Sequence, residues 1–190
     1  MKLHYWQYFV ALEADLAATA RFVEPAQANM STYSIEFARI LLGAGSEIDV
    51  LCKVLCQEHH LSVSPVNIHG YRSAIVARFP RFTKLEIQVP RYGLVRLPWQ
   101  AWEQGTNPTW WRAYNQVKHE RHNHFANANL GNALDAVSGL FVLVSYVCAS
   151  ELRTRTAKPW PQTLTLDPSL SPDISTNLRP GHILPDFPSR

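Results

Sequence analysis

The stretch Trp110 to Phe125, WWRAYNQVKHERHNHF, concentrates side chains able to do chemistry: Arg112, Asn115, Lys118, His119, Arg121, His122 and His124. On a helix, Arg112, Asn115, Lys118 or His119, and His122 share one face at steps of three and four. Phosphodiester chemistry needs this mixture. An imidazole moves a proton near neutral pH. A guanidinium stabilises the charge that develops on a phosphorane-like transition state. An amide fixes a ring tautomer or a ribose hydroxyl. The plainer alternative is a solvated, His-rich helix face. Two features favour chemistry: Trp110 and Trp111 bury and stiffen the start of the helix, and the next helix is strongly apolar. The polar face is therefore expected along a cleft or an interface.

Metal chemistry is the weaker reading. Cys52, Cys56, His59 and His60 fall at i, i+4, i+7 and i+8 near the end of a helix, a spacing that can hold zinc. Cys52 and Cys56 also continue an apolar stripe, and a buried free Cys behaves as a small hydrophobe. His119, His122 and His124 lack a well-placed carboxylate. No metal and no cofactor are expected. The chain has no Gly-rich phosphate loop, no G-x-S-x-G and no H-E-x-x-H.

The elements that must position Trp110 to Phe125 follow from periodicity. Tyr5, Phe9, Leu12, Leu16 and Ala20 mark a first helix over 4–24, ended by Pro25. After helix-start residues Asn29, Ser31 and Ser34, a second helix runs to about Glu58, with Leu41, Ile48, Leu51, Cys52 and Leu55 on one stripe. Gly43 and Gly45 interrupt it, marking a bend or a place where another helix packs closely. A short helix is expected over Tyr71–Phe79. The run LEIQVPRYGLVRL, Leu85–Leu97, reads as a hairpin turning at Pro90–Gly93. The third long helix covers about Thr109–Asn127. A fourth, about Gly131–Arg155, is apolar on nearly all sides, as central or interface helices are. That excess of apolar surface predicts a homodimer.

At 190 residues the chain suits one domain. Hydrophobic residues are 46% and charged residues 17%, the latter low against about 25% on average. Such a composition excludes wholesale disorder. With 8 Gly and 3 Cys it also excludes a collagen-like or disulfide-dense scaffold. An odd Cys count without a signal-peptide h-region points to a reducing, cytoplasmic location. The longest apolar run, Val137–Cys148, is too short to span a bilayer, so no membrane is expected. Net charge is only +3, but between His69 and Pro98 six cations, Arg72, Arg78, Arg81, Lys84, Arg91 and Arg96, face one acid, Glu86. That excess can attract phosphate, or simply form a solvated basic face. The last 36 residues hold seven of the 13 Pro and read as an extended or disordered tail, dispensable for folding.

The pattern W-W-R-x-Y-N-x-V-K-H-x-R, with the apolar helix ALDAVSGLFVLVSYV after it, resembles HEPN-type helical domains. The second helix, SIEFARILLGAGSEIDVLCKVL, is similar to the second helix of that superfamily. The likeness covers about 4–60 and 109–155; 61–108 is an insertion with the hairpin, and 156–190 is the tail. It implies a mainly α fold, a four- to five-helix antiparallel bundle over 1–155. It also implies the family's Arg-x6-His hallmark at Arg112 and His119, and a dimer in which two motifs form one site. Many members are metal-independent endoribonucleases of toxin–antitoxin and anti-phage defence systems; others are non-catalytic modules that bind RNA or a partner protein. Carried over, His119 is base or acid while a ribose 2′-OH attacks the adjacent phosphate. Arg112 holds that phosphate, with Asn115, Lys118 and Arg121 assisting and His122 at the same surface. The basic residues Arg72 to Arg96 would grip RNA, and an antitoxin or other protein is a further expected partner. Trp99 or Trp102 could stack on bases, although core packing of the insertion is the favoured reading for both. In the family a polar residue often follows the Arg directly; here Ala113 does.

Overall fold

The computed structural model describes residues 2–166. The rest of the expected tail, 167–190, lies outside the described residues. The fold is mainly helical with a small antiparallel sheet, as the periodicities predict. α1 spans Leu3–Thr19 and buries Trp6, Phe9, Leu12 and Leu16. It stops at Thr19, short of Pro25, where residues 20–23 tighten into turns. α2 spans Ile35–Glu58; Ser34 caps it by accepting a hydrogen bond from the Phe37 N–H at 3.1 Å. α3 spans Ile68–Arg78, and the Asn67 side chain accepts from the N–H groups of His69 and Gly70. α4 spans Thr109–His124, α5 spans Leu130–Val147, and a last short helix, α6, spans Ala149–Arg153. The expected single helix to Arg155 is thus two, separated at Cys148.

The hairpin forms where alternation and turn chemistry place it. β1 is Ile87–Val89 and β2 is Leu94–Arg96, with Val89 opposite Leu94. Gly93 takes φ +62° at the turn, a left-handed conformation that costs glycine nothing. Ile87 and Val89 point into the core while Gln88 is half-buried.

α5 is the centre of the fold. It packs against α1, α2 and α4, and every residue from Ala136 to Val147 is buried. By length and composition it could cross a membrane, but it lies inside the protein's own core. Its all-round apolar surface is therefore spent within one chain, and the inference from it to a homodimer loses its basis. Trp99 and Trp102 are 1% and 3% exposed, so they pack the core rather than offer faces for bases. The Trp99 indole N–H donates to the Gly139 carbonyl at 3.1 Å, fastening the insertion to α5.

The start of the tail is extended but not loose. Ala157 and Leu164 are fully buried. The Trp6 indole donates to the Pro159 carbonyl at 2.8 Å, and the Trp160 ring meets Trp6 edge-on at 5.8 Å. Buried in α1, the Glu13 carboxyl oxygen Oε1 accepts from three consecutive backbone N–H groups: Gln162 at 3.0 Å, Thr163, and Leu164 at 3.2 Å. A third strand, β3 (Thr165–Leu166), then joins the open edge of β1. Composition alone cannot reveal this docking, because the partners that satisfy the strap lie on α1 and the hairpin. The expectation that everything after Arg155 is dispensable is accordingly withdrawn for 157–166.

Candidate functional site

α4 is set by its inner face. Trp110, Trp111, Ala113, Tyr114 and Val117 are buried, and the Trp110 indole donates to the Pro98 carbonyl at 2.8 Å. Tyr114 lies against Gly45 of α2, where a Cβ would come within 3.0 Å of three ring atoms. The Gly43–Gly45 interruption is thus a close approach of helices. The same burial explains Ala113. At 3% exposure, a polar side chain directly after Arg112 would enter the core without a partner.

On the opposite face Arg112, Lys118 and His119 are exposed and Asn115 is half-buried. Arg112 and His119 are seven residues apart, so they stand roughly 20° apart around the helix and about 10 Å apart along it. Among the described residues neither side chain has a hydrogen-bond or ion-pair partner. Lys118 folds back onto its own helix: its Nζ lies 3.3 Å from the Tyr114 hydroxyl and 5.4 Å from the ring centre. Asn115 Nδ2 donates to the Trp111 carbonyl at 2.9 Å, which leaves its side-chain oxygen uncommitted.

The face does not extend past His119. Glu120 leaves helical geometry, with φ −138° and ψ 46°, and kinks α4. Arg121 and His122 are exposed beyond the kink, out of register with the residues before it. His124 is half-buried, its Nε2 3.6 Å from Glu120 Oε2. The spacing that put His122 on the Arg112 face assumed an unbroken helix, and it fails here for that reason.

The basic residues of the insertion are spread over α3, the turn after it and the hairpin. Arg72 donates to the Gly105 carbonyl in the loop leading into α4. Arg78 and Arg91 lie over the rings of their neighbours Phe79 and Tyr92. Arg81 and Lys84 are exposed. Arg96 differs: its guanidinium grips Asp135 of α5 in a two-pronged pair at 2.6 and 2.7 Å, so its charge is neutralised inside the fold. The cation excess counted along the segment is therefore larger than the excess on the surface.

Beside the α4 face lies an open, polar cleft of about 440 Å³ that no sequence spacing indicates. α2 supplies Asp49 and Lys53, paired at 2.6 Å. The start of α3 supplies Asn67 and His69; the approach to α4 supplies Asn107, Trp111 and Asn115. Asn107 Oδ1 is buried there with no hydrogen-bond partner. Of these residues only Asn115, and Trp111 as a buried anchor of the helix start, were singled out from the sequence. The others come from three separate segments, with no local pattern joining them.

The zinc alternative is not assembled: among the described residues no group of three or more His, Cys, Asp or Glu could hold a metal ion. Cys52 and Cys56 line the core face of α2, and burial raises both thiols, Cys56 to about 11 and Cys52 well above its ordinary value. His59 packs edge-on against Phe79, 4.9 Å between ring centres. Compared with known proteins, the chain matches no family model, no curated protein and no solved structure.

Proposed function

We propose that the chain is an HEPN-like protein that binds RNA on the exposed face of α4, and that Arg112 and His119 make that face a metal-independent endoribonuclease. One observation carries the reading: a guanidinium and an imidazole, whose side chains have no partner among the described residues, stand on the same side of one buried-backed helix beside a polar cleft. In the reaction His119 takes the proton of a ribose 2′-OH, whose oxygen attacks the adjacent phosphorus. The P–O5′ bond breaks and the leaving 5′-oxygen takes a proton from solvent water, so the products are a 2′,3′-cyclic phosphate and a 5′-hydroxyl. Arg112 donates to the phosphate oxygens as charge builds on them.

A second reading, a non-catalytic module that binds RNA or a partner protein, is favoured by the same imidazole. Among the described residues His119 has no neighbour that fixes its tautomer, which an efficient acid–base catalyst ordinarily has. Purified protein incubated with total or transfer RNA, with EDTA throughout, separates the two. Cleavage is expected to persist in EDTA and to fall about 10²–10⁴-fold in His119→Ala. Arg112→Ala should lower it as well. Cleavage that survives His119→Ala, or that stops in EDTA, overturns the mechanism. RNA retained but never cut selects the non-catalytic module.

A further inference from the structure

We infer that Tyr33, standing beside the end of α4, is a stacking platform for an unpaired RNA base; this rests on the RNA-binding reading above and carries that surface past the Glu120 kink. Tyr33 belongs to the segment that enters α2, and the fold ties that segment to the chain between α4 and α5. Tyr33 forms an isolated antiparallel bridge with Asn129. The Ser34 N–H donates to the Ala128 carbonyl at 3.2 Å, and the Leu130 N–H donates to the Thr32 carbonyl at 2.9 Å. The backbone under Tyr33 is therefore fixed. Its ring is braced as well, meeting the Phe125 ring edge-on with 5.4 Å between centres. Whichever ring supplies the edge, at least one face of Tyr33 stays clear of Phe125, and the residue is 52% exposed. A ring already held in place binds without the ordering cost that a loose side chain meets. Ser34 is extended, with φ −156° and ψ 166°, so the side chains of Tyr33 and Ile35 leave the chain on one side. Ile35, 77% exposed, adds apolar surface beside the ring.

The neighbouring charges select a nucleic acid strand as the occupant. Arg121 and His122 lie within about one turn of Phe125. Both are exposed, and among the described residues neither side chain has a partner. The acids close by in sequence have partners of their own: Glu120 Oε2 lies 3.6 Å from His124 Nε2, and Glu36, next to Ile35, is held by Arg39. A flat apolar surface flanked by an unpaired guanidinium complements a strand that is aromatic at its bases and anionic at its phosphates. Aromatic stacking combined with cations is how single strands are held without sequence selection. His119 precedes Phe125 by six residues, about 9 Å at helical rise, so a base on Tyr33 brings its strand past Arg121 and His122 to His119.

The test uses the full chain, a fluorescein-labelled 2′-O-methyl A10, which has no 2′-OH to attack, and an abasic 10-mer of the same charge, with transfer RNA as a third ligand. The wild type is expected to bind A10 at least about 5-fold more tightly than the abasic strand. Tyr33→Ala should weaken A10 binding by about 5- to 150-fold and leave the abasic strand where it was. Tyr33→Phe keeps the ring and should bind as the wild type does. Tyr33→Leu keeps an apolar contact for Phe125 but has no aromatic face, so it should lose A10 affinity while folding normally. Arg121→Ala should weaken both strands alike and reduce the salt slope by about 0.7, which no Tyr33 variant should do. Equal wild-type affinity for the two strands, A10 binding untouched in Tyr33→Ala and Tyr33→Leu, or transfer RNA bound without either strand, overturns the platform and leaves the RNA-binding reading standing. No binding to any of the three overturns both and leaves this face to a protein partner.

Discussion

Replacing Glu13 by Ala tests whether the C-terminal strap is part of the fold. Glu13 is 1% exposed, and its Oε1 satisfies three successive backbone N–H groups of residues 162–164. A net contribution of about 1 kcal/mol per hydrogen bond puts the loss at about 3 kcal/mol. The loss has a ceiling. Rather than bury three orphaned donors, residues 157–166 can detach and hydrate, so Glu13→Ala cannot cost more than undocking the strap. In a chain of this length each 1 kcal/mol moves Tm by about 2–4 °C, so the variant should melt about 6–12 °C below the wild type. Glu13→Gln keeps one acceptor oxygen and should lose only about a third as much. Truncation after Arg155 removes the buried Leu164 and Ala157 and uncovers Trp6, so it should cost at least as much as Glu13→Ala. Calorimetry on the three variants, with hydrogen exchange at Gln162, Thr163 and Leu164, provides the measurement. A Glu13→Ala protein melting within about 1 °C of wild type, with those amides unprotected in both, would refute the docking and restore a dispensable tail.

Two further outcomes follow from the packing around the site. Gly45→Ala should destabilise by about 1–3 kcal/mol in urea melts. The helix-propensity gain of about 1 kcal/mol is outweighed because the new Cβ meets the body of the Tyr114 ring. Ser46→Ala, on the exposed neighbour, should stay within about 0.5 kcal/mol, and a Gly45→Ala protein as stable as wild type would mean that α2 and α4 are not in contact there. The imidazole of His59 is held below its ordinary 6.5 by partial burial and by Arg78, with Lys2 and His60 adding and Glu58 opposing. The unfolded chain then binds more protons than the folded one as pH falls through about 6.5, so stability should drop on acidification until the folded group also protonates. His59→Gln should flatten that slope between pH 7 and 5; an unchanged slope would place the effect elsewhere.

Much of the architecture was legible because it rests on short-range rules. Ser34 and the apolar stripe of α2 lie within one window, as do the alternation of Ile87 and Val89 and the Pro90–Gly93 turn. Placing Arg112 and His119 on one face needs only the 3.6-residue repeat, and α4 is regular as far as His119. Beyond that point local reasoning failed. The Glu120 kink breaks the register of Arg121 and His122, and no residue type in HERHNH announces it.

What only the tertiary structure decided was which distant groups meet. Arg96 is cancelled by Asp135 across 39 residues, the Glu13 oxygen captures a segment 149–151 residues away, and the cleft joins Asp49 and Lys53 to Asn107 and Asn115. The physical reason is common to all three. Periodicity reports which face of an element is apolar, a property of neighbouring residues. Charge neutralisation, satisfaction of backbone donors and the enclosure of a cavity depend on the summed packing of several elements. α5 shows the same limit from the other side: its sequence establishes that it must be covered all round, but only the fold decides that α1, α2, α4 and the insertion, rather than a second chain, provide the cover.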